Sequence, residues 1–512
     1  MKPLSGFLRF IITFALSAAT FMFVLDYSIA NVSIPYISGN MGVAVDQGTY
    51  VITSFAVGNA IALPITGWLT QRVGAVKLIC ISLILFTFFS WTCGAAPSFL
   101  SLIISRFLQG LSSGPMIPLS QTLLVMSTPP EKKNAALASW STIVITAPIV
   151  GPILGGWISY DYVWPWIFYI NIPVGIFSVL VIWFILKNRE TPKEKIPVDW
   201  VSLIFLAIGV TALQFLLDKG QQYDWLNSPL IVTCAVTSLI CFTLLLVWSL
   251  TTEKPLIEMK LFKIRTFTLS VFYIGIMYAI YFGSVVLVPL WLQTSMNYTS
   301  IWAGIAVAPI GIAPFIVGPF MGKALGKYGV TLLLSLCFIL FSISCFYTAY
   351  FDTDVDIWHI GFSRFLLGTA LVFFITPLFA LSMEGVPKEK LASSTGVFHF
   401  VRAMSGGIGT SIFTTMWIRR SAYHHATVGE NLTSYSHQTT TYLDNLGSLG
   451  LHKQTALEKL NQVLGQQADM LSINDCFFVM GWIFLGLLLL LPLSRTKKSS
   501  TQEDPQPSSV AE

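Results

Sequence analysis

The hexapeptide SRFLQG at residues 105–110 returns as SRFLLG at 363–368, which sets Arg106 over Arg364 at an offset of 258. A second pair agrees. LPITGWLTQRVG (63–74) matches GPFMGKALGKYG (318–329), with Pro64 over Pro319 and Gly67 over Gly322 at an offset of 255. Each hexapeptide is followed, after a similar interval, by a Pro/Lys/Glu-rich turn, PPEKKNAAL (129–137) and VPKEKLASS (386–394). Offsets this constant over so long a stretch mark an internal duplication, the way many membrane transporters are built.

Composition says which solvent the repeated unit meets. The 512 residues are 54 % hydrophobic and only 10 % charged, with a mean hydropathy of +0.72, which excludes a water-soluble domain of this length. Fourteen apolar runs, from 10–31 to 473–494, are each long enough to cross ~30 Å of hydrocarbon as a helix. Their continuity excludes a barrel, whose strands alternate apolar and polar residues. The first run follows Lys2 and Arg9 and passes Ala15 and Ser17 without a cleavage signature, so it reads as a retained span. Lys and Arg gather in cytoplasmic loops. With the N-terminus inside, 21 of the 29 basic residues fall on the inner side. Lys219, Arg419, Arg420, Lys453 and Lys459 lie outside, while Arg106, Arg364 and Arg402 lie within spans. Both termini are thus expected in the cytoplasm, and the net charge of +5 is topological, with no nucleic-acid footprint. The seven cysteines sit in or beside apolar runs with no C-x-x-C pair and read as small core residues.

Two runs are in excess of a six-plus-six repeat, and they lie between the charged linker 187–199 and the charged loop 251–266. The expected organisation is an N-terminal six-helix bundle (1–190), a linker with two extra spans (191–265), a C-terminal six-helix bundle (266–495) and a disordered cytoplasmic tail (496–512). The longest outer segment, 419–472, is expected as a polar loop with an amphipathic helix near QTALEKLNQVLGQQ (454–467). Its size suits it to docking, with Tyr423, Tyr435 and Tyr442 as aromatic anchors; a tolerated insertion is the alternative.

Asp26, in LDYSIANVSIP (25–35), is the one acidic residue well within a predicted span. A carboxylate there costs about 3 kcal/mol at a helix centre. Its helical-wheel neighbours Met22, Phe23, Ile29 and Ala30 are apolar or small, and such a face disfavours the charged form, as a reversible proton carrier requires. Pairing with a structural arginine is the other reading. Arg106, six residues into the fourth run, cannot lose its proton and must face protein, water or a carboxylate. It either modulates Asp26 or bonds backbone carbonyls. In APIVGPILGG (147–156), Gly151, Gly155 and Gly156 permit close helix approach, while Pro148 and Pro152 bend the axis. His399 and Arg402 stand one turn apart on a common face; the histidine either titrates near neutrality or is a core histidine bonded to a carbonyl. His424 and His425 lie outside, and no third ligand completes a metal site. GPFMGKA (318–324) is one residue short of a phosphate-binding loop and ends in Ala, so ATP drive is not expected.

These motifs resemble the fourteen-helix drug:proton antiporter branch of the major facilitator superfamily. The EmrB subfamily is closer still, on GTYVITSFAVGNAIALPITGWL (48–69), GPMIPLSQTLL (114–124), APIVGPILGGWIS (147–159), IFYINIPVG (167–175) and GGIGTSIFTTMW (406–417). The resemblance implies an all-α integral membrane protein of major facilitator fold with 14 transmembrane helices arranged 6+2+6. It places proton coupling at Asp26 and Arg106, with Gln109 in the arginine's motif, and the antiporter motif at Pro148, Gly151, Pro152, Gly155 and Gly156. It also assigns GWLTQRVGAVK to the cytoplasmic loop motif, with Gly67, Arg72, Gly74 and Lys77, although the usual acid is Gln71 here. His399 stands where the family is expected to have an asparagine, and with Arg402 it is a candidate for the cavity. The implied function is proton-coupled multidrug efflux of hydrophobic or amphipathic compounds across a bacterial inner membrane. No cofactor is implied beyond the proton gradient, and no enzyme activity. The implied partners are a periplasmic adaptor and a TolC-type outer-membrane channel. The alternatives are a dedicated metabolite or siderophore exporter of the same fold, or a membrane enzyme or receptor, which the absence of a clustered His/Asp/Glu site disfavours.

Overall fold

A computed structural model describes residues 6–194, 197–252, 255–387, 390–433 and 435–491, and every regular element among them is helical. The expected tail 496–512 lies outside the described residues. The first half comprises α1 (Gly6–Met41), the single turn α2 (Val45–Gly48), α3 (Tyr50–Val73), α4 (Ala75–Gly94), α5 (Phe99–Ser113), α6 (Met116–Ser127), α7 (Lys133–Asp161), the short α8 (Trp166–Tyr169) and α9 (Asn171–Leu186). The inserted pair is α10 (Trp200–Lys219) and α11 (Pro229–Thr251). The second half holds α12 (Arg265–Thr294), α13 (Ser300–Val307), α14 (Pro309–Thr348), α15 (Ile357–Met383), α16 (Leu391–Gly429), α17 (His437–Ser448) and α18 (Lys453–Leu490).

Among the described residues, eleven helical segments are long and apolar enough to cross a membrane, or twelve with α7, whose two arms bend by 43° across the break between Pro148 and Ile153. The two other predicted runs are helical too. Run 100–126 is split into α5 and α6 at Gly114 and Pro115, so neither piece spans alone. Run 391–418 lies on α16, whose membrane part is made polar by serines, glycines, His399 and Arg402.

The duplication is visible in the backbone. Gly74 ends α3 with φ of +96°, and Gly329, its partner at the 255 offset, turns the chain inside α14 with φ of +76°. Both take the left-handed region that a Cβ disfavours. Arg106 and Arg364 are each followed by a glycine seated on a neighbouring carbonyl. A Cβ at Gly110 would lie 2.1 Å from the Phe55 oxygen, and one at Gly368 would lie 2.0 Å from the oxygen of Ile310.

On the side predicted to be cytoplasmic the halves meet closely. A Cβ on Gly67 of α3 would fall 2.5 Å from Cα of Ser393 on α16, and one on Gly396 would fall 2.6 Å from the Leu63 oxygen. Nearby, Thr142 of α7 donates to the Pro314 carbonyl at 3.4 Å, and Thr376 to Ser141 at 3.3 Å. Towards the other side the inserted α10 reaches both halves. Asp218 accepts from Thr53 of α3, and the Leu217 carbonyl accepts from Ser411 of α16 at 3.0 Å.

The outer segment 419–472 contains the helix expected at 454–467, within α18, but is otherwise not the expected loop. It is mostly the continuation of two membrane helices: α16 runs on to Gly429, α18 begins at Lys453, and α17 caps the turn between them. At ~1.5 Å per residue, α16 and α18 are each about 57 Å long against ~30 Å of hydrocarbon, so both project well beyond it. Polar residues fasten this hairpin from within. Arg420 Nε donates to Asp475 Oδ2 at 2.6 Å, His424 Nε2 lies 2.7 Å from the same oxygen, and Trp417 Nε1 donates to the Asp469 carbonyl at 3.2 Å. Ser295 at the end of α12 donates to Asp469 at 2.7 Å and ties the hairpin to the bundle.

Candidate functional site: a buried ion pair and its helix packing

Asp26 projects from the middle of α1 into the first bundle and is wholly buried, as is Arg106 on α5. Arg106 Nη1 donates to Asp26 Oδ2 at 2.6 Å and to Gln109 Oε1 at 2.8 Å, while its Nε donates to the Val51 carbonyl at 3.1 Å. The other carboxylate oxygen accepts from Gln109 Nε2 at 3.2 Å and from Asn171 Nδ2 at 2.7 Å. Asn171 also donates to Ser90, which in turn donates to the Phe168 carbonyl. The guanidinium lies 4.2 Å from the centroid of the Phe55 ring. Arg106 and Gln109 reach one point because they are three residues apart on a helix. The sequence-based expectation of an apolar surrounding holds for Asp26's own helix only. Met22, Ile29 and Ala30 are buried beside it, but α5 and α9 bring three polar donors. Both kinds of partner named for Arg106 are present, a carboxylate and a carbonyl on one side chain. Charge-assisted bonds of this kind offset the desolvation of a buried pair.

The second half keeps the arginine and lacks the acid. Arg364 is buried and its Nη2 donates to Thr348 and Ser363 at 3.0 Å each. Its Nε and Nη1 are without a hydrogen-bond partner among the described residues. At the 255 offset from Asp26 stands Tyr281. Among the described residues, the duplicated arginine therefore faces a carboxylate in the first half and none in the second.

The α7 motif packs directly on the helix that bears Asp26. A Cβ at Gly151 would meet Ser28 Oγ at 2.5 Å, and one at Gly155 the Ile29 oxygen at 2.8 Å. Ser28 donates to the Pro148 carbonyl at 3.1 Å, at the edge of the break in α7. Gly156 differs: the nearest atom to its Cβ position is Val32 Cγ1 at 3.9 Å, an ordinary contact. The side chain of Pro152 lies outside the described residues.

The cytoplasmic loop motif is divided between two tasks. Gly67 belongs to the seam between halves, whereas Gly74 makes the turn into α4. There the Glu190 carboxylate caps α4, accepting from the backbone of Val76 at 2.9 Å and of Lys77 at 3.0 Å, a favourable place for a negative charge. Glu190 comes from the segment after α9, so an acid does serve this loop although position 71 is Gln. The Arg72 guanidinium lies over Trp68, whose Nε1 donates to the Pro197 carbonyl at 3.0 Å.

His399 and Arg402 form a separate group. Arg402 Nε donates to His399 Nδ1 at 3.0 Å and its Nη1 to the Tyr278 hydroxyl at 2.6 Å. His399 Nε2 lies 2.6 Å from Gln121 Oε1 on α6, across the boundary between halves. The histidine thus meets a side-chain amide, where a carbonyl of the core was one of the two readings. Asn171, Glu190 and Gln121 are the residues that sequence reasoning passed over. Asn171 and Gln121 stand within the quoted stretches IFYINIPVG and GPMIPLSQTLL, but their partners lie 145 and 278 residues away.

Comparison with known proteins places this geometry in a family. The family model described as Major Facilitator Superfamily matches residues 16–410. The chain is 43 % identical to the multidrug export protein EmrB of Escherichia coli (strain K12) over 491 residues, covering 96 % of each chain. It is 40 % identical to the fatty acid resistance protein FarB of Neisseria gonorrhoeae, covering 96 % of this chain and 97 % of the relative. Among solved structures, a double-tryptophan mutant of XylE superposes with a TM-score of 0.60 at 12 % identity, covering 96 % and 97 % of the two chains, a likeness of fold alone. A multi-pass helical protein with a duplicated bundle, a paired Asp26 and Arg106 and this degree of identity is a transporter and no enzyme: the chain belongs to the major facilitator superfamily and, within it, to the EmrB type of multidrug exporters.

Proposed function

We propose that this multidrug exporter is a proton-coupled antiporter of the bacterial inner membrane, and that it expels hydrophobic and amphipathic compounds through a tripartite route. The observation that carries the reading is the Asp26 carboxylate, buried and held by Arg106, Gln109 and Asn171. A carboxylate in this position exchanges a proton at low cost only if its partners rearrange during the cycle. Protonation removes the attraction to Arg106, and a neutral Asp26 is free to separate from it. Because α7 rests on α1 through Gly151 and Gly155, such a separation is felt at this bent helix. An open apolar recess of about 470 Å³ between α3, α5 and α10, lined by Tyr50, Thr53, Val57, Phe107 and Phe215 among others, supports lipophilic cargo. The projecting hairpin formed by α16, α17 and α18 supports an adaptor contact on the outer side, with Tyr435 fully exposed at its turn.

The test is transport in inverted vesicles against a panel of amphipathic toxic compounds, with and without a pH gradient. Accumulation of several unrelated compounds that stops when the gradient is collapsed is expected. Transport indifferent to the gradient contradicts proton coupling. Transport of a single fatty-acid-like compound favours a dedicated exporter instead, a reading to which the name of FarB lends support.

A further inference from the structure

Three close cross-boundary contacts of α16 follow one helical stripe. Ser393 lies against Gly67, Gly396 against the Leu63 carbonyl, and His399 against Gln121, at three-residue intervals. One turn further, Arg402 reaches Tyr278 of its own half, and beyond it Ser411 reaches the inserted α10. His399 is thus the last member of this stripe of α16 to face the other half before Arg402.

Its hydrogen bonds define its charge in this state. A guanidinium nitrogen is always a donor, so His399 Nδ1, which receives the bond from Arg402 Nε, carries no proton. The ring proton therefore sits on Nε2 and is donated to Gln121 Oε1. The imidazole here is neutral. A second proton has only Nδ1 to occupy, where it points at the Arg402 N–H from 3.0 Å. Donor then faces donor and cation faces cation, and the bond becomes a repulsion. The imidazole therefore takes its second proton only as Arg402 withdraws. The groups packed around it are few. Arg402 is the charged group it senses, Tyr278 and Tyr281 on α12 lie around Arg402, and Gln121 from α6 and Phe379 from α15 are uncharged.

We infer that His399 is a second proton-accepting residue of the transport cycle, and that its protonation drives Arg402 away and loosens the seam between the halves. The inference rests on the proton-coupled reading and adds to it the step that connects proton uptake to opening on the cytoplasmic side. One proton is taken up at Nδ1 and later returned from it; no bond other than N–H is made or broken.

Spin labels at Lys132→Cys and Lys323→Cys, both exposed and on the predicted cytoplasmic ends of the two halves, report the seam by pulsed electron resonance in nanodiscs, with Cys234 replaced by Ser. In otherwise native protein the distance distribution is expected to shift to longer values as the pH is lowered. His399→Gln offers an acceptor to Arg402 and a donor to Gln121 without titrating, and the shift should be lost. Arg402→Gln removes the repulsion while leaving the histidine, and the shift should again be lost. Either variant keeping the full shift, or native protein showing none, overturns the inference. Asp26→Asn combined with Arg106→Gln separates the two readings. Drug transport unaffected by that pair of changes refutes the role of Asp26, and the dependence of the shift on His399 is read independently of it.

Discussion

Asp26 and Arg106 act as one electrostatic unit, and their removal singly or together is expected to differ. Asp26→Asn leaves a guanidinium buried without a counter-charge, a change that costs about 3–5 kcal/mol when a buried pair is broken. Replacing Arg106 by Gln in the same protein removes the orphaned charge and should restore most of the loss. Thermal unfolding in detergent measures this, and a single variant as stable as the native protein contradicts the pairing argument. At this scale the sequence is informative where a residue is anomalous in itself. A carboxylate and an arginine inside apolar runs are conspicuous because the bilayer penalises them, so Asp26 and Arg106 were readable. Asn171 was not, because an asparagine beside a helix start has many ordinary uses and its partner is supplied by α1.

The helices show the same division. Apolar runs near 20 residues are fixed by bilayer thickness, and each predicted span falls on helix. Beyond the membrane that constraint vanishes: the amphipathic pattern of 454–467 marked a helix, but nothing in the polar stretches 419–429 and 468–472 showed that both membrane helices run on unbroken. Their hairpin is held by side-chain pairs such as Arg420 with Asp475, 55 residues apart. The α7 motif was legible as glycine spacing, yet which glycines matter depended on the face turned to α1. Gly151→Leu and Gly155→Leu should each force α7 away from Ser28 and Ile29, with a penalty of about 1–3 kcal/mol from overpacking and a marked fall in drug export. Gly156→Leu, next to open contact at 3.9 Å, should be tolerated. Equal tolerance of all three in an export assay refutes the packing argument.

The whole molecule consists of two bundles that share a scaffold and differ in charge, joined by a close seam on one side and by the inserted α10 towards the other. The hairpin extends this body outward. Replacing residues 430–452, which include α17, by a short linker leaves the paired parts of α16 and α18 in place. Transport in vesicles without an adaptor should persist, while co-purification of a periplasmic adaptor should be lost; an adaptor recovered at full yield places its contact elsewhere. The central claim is that the buried carboxylate gives up a proton as cargo binds, and the most direct measurement is proton release from purified, weakly buffered protein on addition of a transported compound. The native protein should release protons on addition of the compound, and the Asp26→Asn, Arg106→Gln double variant, shown to be folded by its unfolding curve, should release fewer. Release from that variant equal to the native protein's contradicts the assignment of Asp26.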